Sequence, residues 1–125
     1  MKSSSRRPYI LIVDDNRDLA KSVCILLKFS GFEVEAVHDG LEAIKSADIR
    51  RPEIVILDIG LPGLDGFQVA ERMRDTPGLK DVLIIAMSAY DPDMFPRRSR
   101  GSCVDHYLVK PVRFEKLISL IDLRR

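Results

Sequence analysis

Short apolar runs alternate along this chain with segments whose apolar positions recur at helical spacing. The first run, Tyr9 to Val13, contains no charged residue and ends on two aspartates, Asp14 and Asp15. From Arg17 to about Ser30, Leu19, Ala20, Val23, Cys24 and Leu27 fall on one helical face, and Gly31 follows as a stop signal. Cys24 therefore reads as a small core residue. Glu33 to Val37 alternates polar with apolar positions, the pattern of a half-covered strand. Asp39 is an N-cap candidate, with Glu42 three residues on as its reciprocal partner. The helix it opens carries Leu41, Ala43, Ile44 and Ala47 and ends at the Arg50-Arg51-Pro52 break.

A third run, Glu53 to Leu57, is apolar on both faces after its first residue, as a central parallel strand requires. Leu61 to Gly66 has loop chemistry, and the next helix presents Phe67, Ala70 and Met73. Val82 to Met87 predicts a fourth strand and His106 to Val109 a fifth. Phe114, Leu117, Ile118 and Ile121 mark the last helix. Between the last two strands, Asp91 to Cys103 predicts a short or distorted helix, because Pro96 fits only a first turn. Strands joined throughout by helices imply a parallel sheet covered on both sides. The expectation is an α/β fold: a flavodoxin-like, doubly wound five-stranded sheet of order 2-1-3-4-5 with five helices. Residues 1–8 are expected to form a disordered N-terminal tail, and residues 9–125 a single domain.

Composition changes this picture little. The 125 residues suit one domain that buries about two-thirds of its unfolded surface. Hydrophobic residues at 46% and charged residues at 31% exclude disorder of the whole chain. A net charge of +1 provides no field for nucleic acid or an anionic membrane. Basic groups at Arg6-Arg7, Arg97-Arg98-Arg100 and Arg124-Arg125 have no interleaved aromatics and read as solvated surface. No direct nucleic-acid contact and no membrane association are expected, and the Ile10 to Val13 run is far too short for a span or a leader. Cys24 and Cys103 form no short-spaced pair and lie near no metal-ligand cluster, which suits reduced thiols and a cytoplasmic location.

The chemistry lies at the strand ends. In a doubly wound sheet, ligands bind beyond the carboxyl ends of the strands where strand order reverses. Strand one ends in Asp14 and Asp15, strand three in Asp58, strand four in Ser88 and strand five in Lys110. Each aspartate alone could simply cap the helix that follows it. Three converging on one small volume oppose one another's ionisation unless a cation offsets them. A hard divalent ion, Mg2+, suits such oxygen donors, with Asp14, Asp15, Asp58 and the backbone carbonyl of Gly60 as candidate ligands. A carboxylate so placed can attack phosphorus and hold a phosphoryl group as a mixed anhydride. Its oxygens then need fixed cationic and hydroxyl donors, for which Lys110 and Ser88 are candidates.

The segments Ile10 to Asp15 (ILIVDD), Ile56 to Gly66 (ILDIGLPGLDG), Ile85 to Ala89 (IAMSA) and Tyr107 to Pro111 (YLVKP) resemble the receiver domains of bacterial response regulators and hybrid histidine kinases. The resemblance covers about residues 9–123, with spacings of 43 residues from Asp15 to Asp58, 30 to Ser88 and 22 to Lys110. It implies that Asp58 accepts a phosphoryl group from a histidine kinase or phosphotransfer protein, and that Asp14 and Asp15 hold Mg2+. Ser88 would bond the phosphoryl group and move toward it, Lys110 would pair with it, and the Lys110–Pro111 bond would be cis. Tyr107 matches the aromatic that turns inward as Ser88 moves; otherwise it is a half-buried strand tyrosine. A downstream protein would read the face formed by the fourth helix, fifth strand and fifth helix, and a homodimer is a further expectation.

Departures from the family pattern fall on that face: Pro92 and Pro96 interrupt it, and Cys103 stands where the family commonly has Gly, with Gly101 nearby. Gly60 and Tyr90 occupy positions where the family tunes access of water to the phosphoryl group, so Tyr90 could shield it. Three other readings compete. A flavin or nucleotide binder would want a Gly/Ser/Thr-rich phosphate loop after strand one, where Asp14 and Asp15 would repel a phosphate. A phosphohydrolase would want an acid/base aspartate at position 60, where Gly stands. An adaptor retaining only the fold would not need the whole acidic and basic set. No helix-turn-helix follows the last helix, so a stand-alone receiver or one belonging to a longer polypeptide such as a hybrid kinase is expected, rather than an enzyme.

Overall fold

A computed structural model describes residues 8–90 and 103–123 of the protein. Strands β1 (Tyr9–Val13), β2 (Glu33–Val37), β3 (Ile54–Asp58), β4 (Leu83–Ser88) and β5 (His106–Val109) form one sheet. All its pairings are parallel, in the expected order β2-β1-β3-β4-β5. Among the described residues there are four helices: α1 (Arg17–Phe29), α2 (Gly40–Ile49), α3 (Gly66–Arg74) and α4 (Phe114–Leu123). The expectation of five is corrected to that extent. The helix anticipated over Asp91 to Cys103 and the N-terminal tail fall almost wholly outside the described residues, and α4 is the one anticipated as the last of five.

Alternation along the strands sorts the core into two layers. Ile10, Ile12, Ile54, Ile56 and Ile85 point to one face, where Leu27 of α1 and Leu117 and Ile121 of α4 cover them. Leu11, Val13, Val55, Leu57 and Ile84 point to the other, against Ala43 and Ala47 of α2 and Val69 and Met73 of α3. Each fully buried Ile or Leu contributes about 1.5–3 kcal/mol. β1 and β3 are buried along their whole length, as their uninterrupted apolar runs require, whereas β2 exposes Glu33 and Glu35 at the sheet edge. β3 and β4 each extend one residue beyond their apolar runs, taking Asp58 and Ser88 into the sheet.

Caps fix where the helices begin. The Asn16 side chain accepts the Leu19 amide at 3.1 Å, and that of Asp39 accepts the Glu42 amide at 2.8 Å. The reciprocal half of the expected Asp39–Glu42 box is absent: the Glu42 carboxylate accepts the His38 amide at 3.1 Å instead. A complete box occurs at α3, where Asp65 and Gln68 accept each other's amides at 2.9 and 3.0 Å. Gly31, at φ +100°, lets the chain turn out of α1 into β2 in a region L side chains avoid.

Arg74, in the last turn of α3, binds the lead-ins of two strands. Its guanidinium donates to the carbonyls of Lys80, Val82 and Cys103 at 2.8, 2.6 and 3.1 Å. It also pairs with Asp105 at 2.9 Å, and the Asp105 carboxylate accepts the Ile84 amide at 2.8 Å. Among the described residues, no helix is long and apolar enough to cross a membrane.

Candidate functional site

Parallel strands deliver all their carboxyl ends to one edge, and β1 and β3, neighbours in the sheet, send their following helices to opposite faces. A crevice opens between them. One carboxylate oxygen from each of Asp14, Asp15 and Asp58 lies within 4.8 Å of the other two. Asp14 is fully buried and Asp58 nearly so, whereas Asp15 is exposed.

Asp14 is held on every side. Its amide donates to the Val37 carbonyl at 3.1 Å, and its Oδ1 accepts the Asn16 amide at 2.9 Å. Its Oδ2 accepts the Lys110 ammonium at 3.2 Å, and its carbonyl pairs with His38 Nδ1 at 3.0 Å. Asp58 Oδ1 accepts the Gly60 amide at 3.1 Å, while Oδ2 stands 3.7 Å from Lys110 Nζ. Burial pushes the Asp58 carboxyl above the usual carboxylate range, and the charges of Asp14 and Asp15 push the same way; the Gly60 amide and Lys110 pull it down. Among the described residues, one ammonium thus faces three carboxylates. Oxygen-only donors with that charge imbalance fit a hard divalent cation.

Ser88 ends β4, next to the Met87 that pairs with Asp58. The Lys110 amide donates to the Ser88 carbonyl at 2.7 Å, so the β4–β5 ladder itself carries Lys110 to the acidic cluster. The Lys110–Pro111 bond is cis, as the family resemblance implies. Ser88 Oγ accepts the Tyr90 amide at 3.0 Å, and the Tyr90 carbonyl accepts the Tyr107 hydroxyl at 3.3 Å. The half-buried Tyr107 packs beside Ile59, Phe67 and Ala86. A Cβ built on the exposed Gly60 would meet only Asp58 Oδ1, at 3.7 Å. Asp14, Asp15, Asp58, Ser88 and Lys110 are therefore gathered at one edge, with Gly60 and Tyr107 beside them. His38 and Asn16, which orient Asp14, went unread in the sequence. Asn16 carries a cap signal, but nothing in the periodicity singles out His38.

The profile of the response regulator receiver domain family matches residues 10–122. The chain belongs to this family. Among similar proteins, the response regulator MprA of Mycobacterium ulcerans is 36% identical over 110 residues, covering 88% of this receiver and 47% of MprA. The receiver thus spans about half the length of the curated relatives it matches. Of solved structures, the response regulator TrrA of Thermotoga maritima, in complex with Mg2+-BeF, superposes with a TM-score of 0.82 at 31% identity, covering 93% of this chain and 97% of that one. The signal receiver domain of a signal transduction histidine kinase from Syntrophus aciditrophicus gives 0.81 at 26% identity, covering 93% and 88%. Receivers of this family are signalling domains of two-component systems.

Proposed function

We propose that Asp58 of this receiver accepts a phosphoryl group from the phosphohistidine of a histidine kinase or phosphotransfer protein. The observation that carries the reading is the Lys110 ammonium set between Asp14 and Asp58, at 3.2 and 3.7 Å, beside three convergent carboxylates. A carboxylate oxygen of Asp58 forms the new bond to phosphorus as the P–N bond of the phosphohistidine breaks, and the departing imidazole keeps the electron pair. Asp14, Asp15, Asp58 and the Gly60 carbonyl would hold Mg2+, which would supply positive charge to offset that of the phosphoryl oxygens. This metal reading draws support from the oxygen-only donor set and from TrrA, whose solved complex contains Mg2+-BeF.

Lys110 pairs with the phosphoryl oxygens, partly released from Asp14 and Asp58. Ser88 Oγ already accepts the Tyr90 amide, so its own proton is available for a phosphoryl oxygen. Movement of Ser88 pulls on Tyr90 and, through its carbonyl, on the Tyr107 hydroxyl. The added charge favours whichever arrangement brings Ser88 and Lys110 closest, and that difference in contact is what shifts the population. β5, the final helix and the residues leading into them then present the altered surface to a downstream protein or to a second copy. Gly60 offers no side chain to activate water for turnover of a free substrate. We place the action in the cytoplasm, where Cys24 and Cys103, both free thiols, remain reduced.

Incubation with Mg2+ and acetyl phosphate, followed by intact mass measurement, tests the assignment. The expected result is an adduct of about 80 Da, one phosphoryl unit, missing in Asp58→Asn. An equal adduct in Asp58→Asn, or none in the wild type, overturns it.

A further inference from the structure

The face of the sheet covered by α1 and α4 is not filled between them. A cavity of about 450 Å³ opens there, directly behind the acidic edge. Its floor is Ile12 of β1 and Met87 of β4, both almost wholly buried, so the space reaches down to the sheet. Leu19, Val23 and Leu26 of α1 form one wall; Val112, Phe114 and Leu117 form the other. Asp14 and Lys110 close the inner end.

We infer that this cavity is a binding site for a small, uncharged, apolar molecule of one or two rings. Its size lies within the range of about 300–1,000 Å³ typical of small-molecule pockets. Aliphatic and aromatic walls select an apolar body. The polar groups at the inner end are already satisfied by each other, since Asp14 Oδ1 holds the Asn16 amide and Oδ2 holds Lys110. A charged ligand would have to break that pairing. An anion would in addition meet the excess negative charge of Asp14, Asp15 and Asp58 over Lys110. The groove is open to solvent along Leu26, so a ligand of matching shape gains its contacts from the floor and the two walls. Asp58 does not line the cavity, so binding there does not require the phosphoryl-acceptor reading, although Asp14 and Lys110 border both sites.

Indole is a suitable probe, being uncharged, bicyclic and soluble. Titrated into the full chain and followed by methyl resonances in NMR spectra, it is expected to saturate with a Kd of about 1 mM or tighter, a value in keeping with its few heavy atoms. Intermolecular NOEs should connect indole protons to the methyl groups of Leu19, Val23, Val112 and Leu117. Val23→Phe, which extends a ring into the cavity, should weaken binding at least about tenfold, or 1.4 kcal/mol. Should that variant fail to fold, the NOEs to the wild-type protein decide alone. Absence of saturation, NOEs to other methyl groups, or undiminished binding to a folded Val23→Phe protein each overturns the inference.

Discussion

At the scale of single residues, the site is defined by charges held close together at an energetic cost. Burial raises the Asp58 carboxyl pKa, so the folded chain favours the protonated form more than the unfolded chain does. The stability associated with that proton is complete below the unfolded pKa of about 3.9 and is lost as pH climbs through the raised folded value. At neutral pH, without divalent ions, Asp58→Asn should therefore melt higher than wild type. The difference should close as the pH falls to about 3.5. Paired thermal melts across that range check this, and a lower Tm for Asp58→Asn at pH 7 refutes it. Lys110 has the opposite part. Lys110→Met leaves Asp14 and Asp58 without their ammonium and should slow acetyl phosphate labelling by about 10²–10³-fold, read as the rate of adduct formation. The gathering of Asp14, Asp15, Asp58, Ser88 and Lys110 at one edge was legible in the sequence because they stand at the ends of the apolar runs. His38 was not, since its bond to the Asp14 carbonyl spans 24 positions and depends on β2 lying beside β1.

Secondary-structure elements were legible wherever periodicity was strong. The boundaries of β2 and β5 fall on the expected residues, and those of β3 and β4 move by one because Asp58 and Ser88 continue the ladder despite being polar. The capping chemistry of α2 was half legible. Spacing alone marks Glu42 as the partner of the Asp39 amide, but spacing carries no information about His38, whose amide competes for the same carboxylate. At α3 the box is complete and sits beside Gly66, where a Cβ would lie 2.6 Å from the Asp58 carbonyl oxygen and 2.6 Å from Ile59 Cα. Both are backbone atoms, so the loop itself has to yield. Gly66→Ala should destabilise by about 1–3 kcal/mol and slow phosphoryl uptake by displacing Asp58. Asp65→Ala should cost about 1 kcal/mol with little change in uptake. Urea melts combined with adduct kinetics separate the two; equal kinetic losses would contradict the role given to close packing at Gly66.

For the molecule as a whole, a cation bound at the acidic edge as proposed would link binding to folding. Mg2+ at about ten times its Kd should raise wild-type stability by about 1.4 kcal/mol, and the gain should vanish in Asp58→Asn and Asp14→Asn. Calorimetric melts with and without the ion read this directly; an equal gain in all three proteins would assign the effect elsewhere on the surface. The strand order was expected as the common solution for a doubly wound sheet of this length, whereas layering followed from the alternation of strands and helices, since parallel strands need crossovers. Tertiary ties such as Arg74 to Asp105 did not, because a terminal-turn arginine looks like any solvated one until the strand lead-ins are placed around it. One feature of the sheet governs the rest. Asp58 is the last residue of a strand enclosed on both faces, and it is anchored through its neighbours on either side. A residue so fixed serves as a stationary reference mark. If Asp58 takes the phosphoryl group as proposed, the change must be expressed by travel of the parts around it, and a protein that reads it would grip the rim of the sheet rather than its middle.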